Sequence, residues 1–204
     1  MYDEPEAVNE LMFKISEAFS LFVKKQREIT NDEFGTSNGL QGVWSPNGGV
    51  WLSDDDLVSI GSELYEKFIL PHYSRIFTEF GGGHLHYCGD GSHQLNNILS
   101  IKGLTAINNS PMSNFDSFHK LQIGTGNKYV IEIQDAAPEF PELYYNDLFD
   151  GIKNFNGIMV VTFVEDELAM DMEGRTVFVK RDPYVTANEI VKSVRKAVSK
   201  QINK

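Results

Sequence analysis

Apolar residues recur every three to four positions near the start of the chain. Between residues 5 and 29 they follow the i, i+3, i+4, i+7 spacing of an amphipathic helix. Pro5 suits the first turn of a helix. The pattern therefore predicts one long helix here. Its apolar positions are Val8, Leu11, Met12, Ile15, Ala18, Phe19 and Phe22.

The next eighty residues are less regular. "TNDEFGTSNG" (30–39) predicts a loop, "LQGVWS" (40–45) a short strand and "PNGG" a turn. Ser53, followed by three aspartates, is typical of a helix N-cap. We expect this second helix to be kinked or broken at Pro71 and to end at the glycines of 81–83.

From residue 84 onward, short apolar runs alternate with segments of helical spacing. A further extended piece is predicted at 175–183, before a closing helix at 186–202 with a Thr186/Glu189 capping box. The predicted strands are 84–88, 104–108, 128–135 and 157–164, and the predicted helices between them are 92–103, 113–124 and 141–154.

This alternation predicts an α/β fold, with parallel strands joined by helices that cover the sheet. Together with 40–45 it gives about five βα units, whereas a (β/α)₈ (TIM) barrel has eight. No GxGxxG motif follows the first strand, so a dinucleotide-binding fold is not favoured. In an incomplete barrel the strands at 40–45 and 157–164 would both be edges.

Composition narrows the partners. The formal net charge of −11 disfavours nucleic acid, because an acidic surface repels phosphates. A single cysteine rules out an internal disulfide and suits a reducing cytoplasm. The most apolar run, "GIMVVTFV" (157–164), is too short to span a bilayer. We therefore expect a cytoplasmic protein that has no membrane partner.

The segment "GGGHLHYCGDGSHQL" (81–95) carries the most distinctive chemistry. Because alternate residues of a strand share a face, His84, His86 and Cys88 point the same way. Cys88 would lie at the carboxyl end of the strand, where barrel active sites sit. A thiolate and an imidazole can hold one Zn²⁺. The alternative is that these histidines only hydrogen-bond to their neighbours.

A third ligand would have to come from another strand. Glu132 alternates with Ile131 and Ile133, so it faces the interior if the isoleucines face the helices. A buried acid there must be paired, protonated or bound to a metal. Glu132 is thus either the third ligand or the partner of an interior His or Lys.

The order "GGVWLSDDDLVSIGSELYEKFILPHYSRI", "HLHYCGDG" and "GLTAINNS" resembles the uroporphyrinogen decarboxylase superfamily of porphyrin metabolism. It is most similar to the zinc-dependent methyltransferase branch, which moves methyl groups between corrinoid proteins and thiols. The resemblance implies a C-terminal portion of a (β/α)₈ barrel, with residues 1–204 forming a single domain that lacks the N-terminal units. It also implies zinc on His86 and Cys88.

The sequence departs from the family pattern in two ways. The methyltransferases add a distant second cysteine as a zinc ligand, and this chain has one cysteine only. The decarboxylases hold their substrate with an N-terminal Arg and Asp, a region that the resemblance does not cover. No residue here inherits those two roles.

Three functions remain open at this stage. The first is a zinc-dependent methyltransferase acting between a corrinoid and a thiol, with Trp44, Trp51 and Asn108 lining the pocket. The second is a decarboxylase of a tetrapyrrole-like polycarboxylate. The third is a non-catalytic protein that serves as a partner subunit. The partners expected are a corrinoid protein or a small thiol, and for stability a separate N-terminal half or a second copy.

Overall fold

The computed structural model describes residues 3–32, 37–38, 44–45, 49–110, 114–165 and 167–203, with only the backbone at 37–38 and 44–45. In chain order the strands are β1 (Ser37–Asn38), β2 (Trp44–Ser45), β3 (Val50–Ser53), β4 (Gly83–Cys88), β5 (Leu104–Ser110), β6 (Val130–Ala136), β7 (Ile158–Phe163), β8 (Leu168–Met170) and β9 (Thr176–Phe178). The α-helices are α1 (Pro5–Thr30), α2 (Ser62–Phe68), α3 (Leu70–Glu79), α4 (Leu95–Ser100), α5 (Phe115–Thr125), α6 (Pro141–Leu148) and α7 (Pro183–Ile202), and two 3₁₀ turns span Asp55–Ser59 and Ser92–Gln94.

A parallel sheet of five strands, flanked by helices, forms the centre of the fold. Its order is β3-β4-β5-β6-β7, so each strand after β3 lies beside the strand that precedes it in the chain. The predicted α/β class with five parallel strands is therefore confirmed. Two antiparallel hairpins lie outside this sheet, namely β1 with β2 and β8 with β9.

The position predicted for the first strand was wrong. The sheet begins at Val50, whereas Trp44–Ser45 pairs antiparallel with Ser37–Asn38, and residues 40–43 lie outside the described part. Val50 and Leu52 are buried and Trp51 is half-buried, which is the alternation of a strand with one covered face. From the sequence, the turn was placed at "PNGG" (46–49), directly before these residues, and no strand was assigned to them.

Gly49 explains why glycine precedes this strand. It has φ +104°, a conformation that L-residues rarely adopt, and a Cβ placed there would lie 2.7 Å from the backbone oxygen of Gly82. Gly82 in turn accepts a hydrogen bond from the N–H of Val50 at 3.1 Å. The two glycines thus let the chain segments leading into β3 and β4 approach closely.

The chain divides into two compact units. The first comprises residues 1–87 with 91–107, and the second comprises 88–90 with 108–204. Fully buried side chains in the first unit include Leu57, Tyr65, Phe68, Phe77 and Leu85. Those in the second include Phe118, Ile133, Tyr144, Leu148 and Phe149.

Helix α1 lies in the first unit with an unexpected orientation. Its length matches the prediction, but the side chains that it buries are Ser16, Ser20 and Val23. Ser20 donates a hydrogen bond to Glu79 of α3 at 2.8 Å, and Lys24 forms an ion pair with the same carboxylate at 2.5 Å. The apolar side chains of the predicted pattern that remain exposed include Leu11, Ile15 and Phe22.

Side chains cap two helices of the second unit, and one of these caps corrects a prediction. Asn114 caps α5 by accepting a hydrogen bond from the N–H of Ser117. Helix α7 begins at Pro183, and its N-cap is Asp182, which accepts from the N–H groups of Tyr184 and Val185. The predicted Thr186/Glu189 capping box was therefore placed one turn too late, and Thr186 is buried instead.

Candidate functional site

Strand β4 presents two different faces. Leu85 and Tyr87 are fully buried among apolar side chains, whereas His84 and His86 lie on the opposite face together with Cys88. His86 is only 5% exposed and Cys88 is partly exposed at the end of the strand. The face that carries the chemistry therefore opens toward its carboxyl end.

The neighbouring strand fixes the His86 ring. Trp51 of β3 stacks on it, with ring centroids 5.4 Å apart and an interplanar angle of 27°. In the parallel register, Trp51 is paired with His84, and Ser53 with His86. Trp51 thus lies beside the histidine face, and its role in lining a pocket stays a prediction.

Asp55 approaches His86 from the turn that follows β3. Its Oδ1 lies 3.4 Å from Nε2 of His86, and its side chain is 59% exposed. The turn is held against β4 by a hydrogen bond from the N–H of Asp54 to the carbonyl oxygen of His86 at 2.9 Å. The carboxylate of Asp55 is therefore available both to the imidazole and to solvent.

Three potential metal ligands meet at this point. Asp55, His86 and Cys88 each offer one ligand atom, and these atoms all lie within 4.8 Å of one another. Cys88 belongs to the second unit, but it is the last residue of β4, the strand that also carries His86. The backbone of β4 therefore fixes the position of Cys88 relative to the imidazole of His86. Among the described residues, this group brings together two of the residues predicted for the metal site.

The donor set suits zinc. Zinc accepts imidazole nitrogen, thiolate sulfur and carboxylate oxygen, and catalytic zinc sites keep three protein ligands and one open position. Two ligand atoms on a tetrahedral zinc lie about 3.4 Å apart. The Asp55–His86 pair has this spacing, and all three ligand atoms lie within 4.8 Å of one another, so the donor types and spacing make a possible metal-binding triad.

Asp55 was not among the site residues predicted from the sequence. The signal was the run "SDDD" (53–56), but the first strand had been placed at 40–45, so these acids were interpreted as the start of a helix. With β3 at Val50–Ser53, the same acids follow the carboxyl end of a sheet strand. In a parallel sheet that is where functional side chains collect.

A half-buried acid, Asp54, supports the turn that carries Asp55. Asp54 accepts a hydrogen bond from the hydroxyl of Tyr65 at 3.1 Å. Burial raises the pKa of Asp54, although hydrogen bonds from Tyr73 and Tyr65 act in the opposite direction. Burial also raises the pKa of both tyrosines, which stay protonated and continue to donate. This cluster holds the start of the 3₁₀ turn in place.

His84 lies two residues before His86 on the same face. It is buried, and the loss of solvation lowers its pKa, so its imidazole is neutral at neutral pH. Its Nδ1 has no hydrogen-bond partner among the residues that the structure describes. A neutral imidazole with an unused nitrogen adds a polar group to the face that carries the candidate ligands.

The remaining predicted residues have different outcomes. Glu132 is buried in β6 between Ile131 and Ile133, within the second unit, and does not belong to the group formed by Asp55, His86 and Cys88. Its role as a ligand stays a prediction. Asn108 is buried in β5 and donates a hydrogen bond to Gln134 at 2.8 Å. The side chain of Trp44 lies outside the described residues.

No protein-family model, no curated protein and no solved structure matches the chain. Within the described residues, none of the helices combines the length and the apolar character that a membrane span requires. The fold and the site define an α/β protein with a parallel sheet and a possible metal-binding triad at the end of a strand.

Proposed function

We propose that this protein binds zinc through Asp55, His86 and Cys88 and uses it to activate a thiol for methyl transfer with a corrinoid. The observation that carries the metal site is the meeting of nitrogen, sulfur and oxygen donors within 4.8 Å. The methyl-transfer step rests in addition on the similarity of "HLHYCGDG" to the zinc-dependent methyltransferases.

The surroundings of His86 and Asp55 give these two ligands different roles. His86 is held by burial and by the Trp51 ring, so it supplies a fixed ligand. Asp55 is largely exposed, which leaves a path by which a thiol could reach the site from solvent. A zinc ion bound here would lower the pKa of a thiol at its open position and so favour the thiolate.

The proposed transfer balances without an additional oxidant or reductant. The thiol gives its proton to solvent, and the thiolate sulfur supplies the electron pair of the new carbon–sulfur bond. The cobalt–carbon bond of the methyl corrinoid breaks with its electron pair left on cobalt, which passes from cobalt(III) to cobalt(I). Asp55, His86 and Cys88 orient the acceptor in this scheme, and the corrinoid arrives on a separate protein or as free methylcobalamin.

The first prediction concerns metal binding. The purified full chain, loaded with zinc and dialysed, should retain about one equivalent, measured by mass spectrometry of the metal. His86→Ala and Cys88→Ser should each weaken zinc binding by about 100-fold or more, because each removes a ligand. Asp55→Asn should weaken it by about 10-fold, because a neutral amide is a poorer ligand.

His93→Ala is the matched control. His93 is exposed, contacts the carbonyl of Ile60 at 3.1 Å and does not belong to the triad, so its replacement should leave zinc affinity unchanged. If the wild-type chain and His86→Ala are equally free of zinc after loading, the metal site is wrong. Zinc binding without loss of methyl from methylcobalamin to a thiol would leave the metal site standing and contradict the methyl-transfer step.

A further inference from the structure

The outward face of α1 carries a regular apolar stripe. Along the helix its members are spaced alternately by three and four residues, which is the heptad spacing of a helix that pairs with another helix. The stripe consists of Val8, Leu11, Ile15, Ala18, Phe22, Lys25 and Ile29. We define these seven residues as the α1 stripe.

The α1 stripe is exposed, whereas the opposite face of the helix is used for packing. Leu11 is 57% exposed, Ile15 52%, Phe22 65% and Ile29 73%. The side of α1 that meets the rest of the first unit is largely polar, with Ser16 and Ser20 buried and Glu79 bound by Ser20 and Lys24. A soluble helix normally directs its apolar stripe inward, so this arrangement leaves a surface that a further element can cover.

We infer that the α1 stripe is a dimer interface, in which α1 of one copy packs antiparallel against α1 of a second copy. We centre the antiparallel pair between Ile15 and Ala18. Each stripe residue of one copy then faces the residue of the other copy whose number brings the sum of the two to 33. Leu11 then meets Phe22, and Ile15 meets Ala18, so a large side chain lies against a small one at the centre. The same surface serves both copies, as a twofold axis requires.

The charged residues favour this orientation. Lys25 belongs to the stripe and forms an intrahelical ion pair with Glu28 at 2.8 Å. In a parallel pair the two Lys25 side chains would face each other and repel. In the antiparallel pair Lys25 lies beside Val8 of the other copy. Glu4 of that copy is one helical turn from Val8, so the ammonium group of Lys25 can reach the carboxylate of Glu4. A single charged residue in such a seam sets register and orientation.

The area available is sufficient for a specific dimer. Each large apolar side chain that becomes covered removes roughly 100 Å² from water. Four such residues belong to the stripe, and Leu21, which flanks it, is 67% exposed. Five side chains from each copy would together bury about 1,000 Å², which is the size at which specific interfaces begin.

The test is the oligomeric state of the full chain, measured by sedimentation velocity over a range of concentrations. The wild-type chain should be a dimer at micromolar concentration. Phe22→Glu should raise the dimer dissociation constant by roughly 100-fold or more, because it places a charge in the seam. Ile123→Glu is the matched control, since Ile123 is 75% exposed on α5 in the second unit, and this variant should remain dimeric.

A charge exchange tests the orientation. Lys25→Glu should weaken the antiparallel dimer by placing its new carboxylate near Glu4, and Lys25→Glu combined with Glu4→Lys should restore it. The circular dichroism melting curve of each variant checks that the chain has folded. A monomeric wild type, a dimer that survives Phe22→Glu together with Ile15→Glu, or a failure of the charge exchange to restore association would each overturn the inference.

Discussion

Arg181 shows how one side chain can fix several irregular segments. Its guanidinium donates to the carbonyl oxygens of Ala137 at 3.0 Å and Pro138 at 3.3 Å, and also to that of Leu168. These carbonyls follow β6 or belong to β8, so one planar group holds two segments of the second unit together. A lysine cannot reproduce several hydrogen bonds in this fixed geometry.

We therefore predict that Arg181→Lys lowers the free energy of unfolding by about 2 kcal/mol, since hydrogen bonds from a charged donor are lost while their acceptors remain. Denaturant unfolding of the two proteins measures this difference. Arg175→Lys is the control, because Arg175 is 71% exposed and its replacement should change stability little. Equal losses in the two variants would contradict the role given to Arg181.

Asp171 stabilises the turn between β8 and β9 in a manner that depends on its charge. Its Oδ1 accepts from the N–H groups of Glu173 at 3.0 Å and Arg175 at 2.9 Å, and its Oδ2 accepts from Nε of Arg175 at 2.7 Å. The backbone hydrogen bond from Arg175 is the largest cause that lowers the pKa of Asp171 below its ordinary value of 3.8. The carboxylate therefore binds protons less readily in the folded chain.

The lowered pKa of Asp171 determines how its contribution to folding stability changes with pH. Because the folded pKa is lowered, the contribution of Asp171 is complete above pH 3.8 and is lost as the pH falls through the folded pKa. We predict that the amide resonances of Glu173 and Arg175 shift together in this acidic window, and that Asp171→Asn abolishes the shift. Glu173→Gln should preserve it, and a shift that persists in Asp171→Asn would refute the assignment.

At the level of elements, the regular part of the fold was predictable and the first strand was not. β4 to β7 carry apolar runs of strand length, and α1 has strong helical spacing, so the pattern was sufficient there. β3 is only four residues long and follows two glycines, which resemble a turn when the approach of Gly82 is unknown. The error in β3 also concealed Asp55, because its place at a strand end depends on where the strand ends.

For helix α1, the sequence pattern predicted the helix but not which of its faces packs against the rest of the first unit. Periodicity identified its apolar stripe, but it gives no information on what the stripe faces. The structure turns that stripe outward because Ser20 and Lys24 bind Glu79 on the other side. Contacts between residues far apart in the chain decided this orientation, and no local signal reports them.

The close approach of Gly49 and Gly82, just before β3 and β4, predicts the effect of a substitution. Gly49→Ala places a methyl group 2.7 Å from the oxygen of Gly82 and imposes φ +104° on an L-residue. We expect a loss of at least about 2 kcal/mol in the free energy of unfolding, because the neighbouring atoms are backbone and cannot move aside cheaply.

Gly126→Ala is a control that separates the cost of a positive φ from the cost of the backbone contact. Gly126 also has positive φ, +54°, but a Cβ there would meet no atom within 4 Å. Its replacement should cost about 1 kcal/mol, which is the conformational part alone. Equal losses in the two variants, measured by thermal or denaturant unfolding, would show that the contact between Gly49 and Gly82 contributes nothing.

At the scale of the whole molecule, the sheet ends at β3 on one side and at β7 on the other among the described strands. The prediction that 157–164 contains an edge strand agrees with β7, whereas the other edge is β3 rather than 40–45. Unpaired strand edges attract other chains. The net charge of −11 opposes nonspecific association of this kind, because copies of the protein repel one another at long range.

The order of strands in the sheet has a consequence for how the chain is made. Each of the strands β4 to β7 is paired with the strand that precedes it in the chain. When one of these strands leaves the ribosome, its pairing partner has therefore already been synthesised. A ribosome adds about 5–20 residues per second, and successive strands here begin about 20–35 residues apart. The sheet can therefore grow strand by strand during translation, with each new strand finding its template already in place.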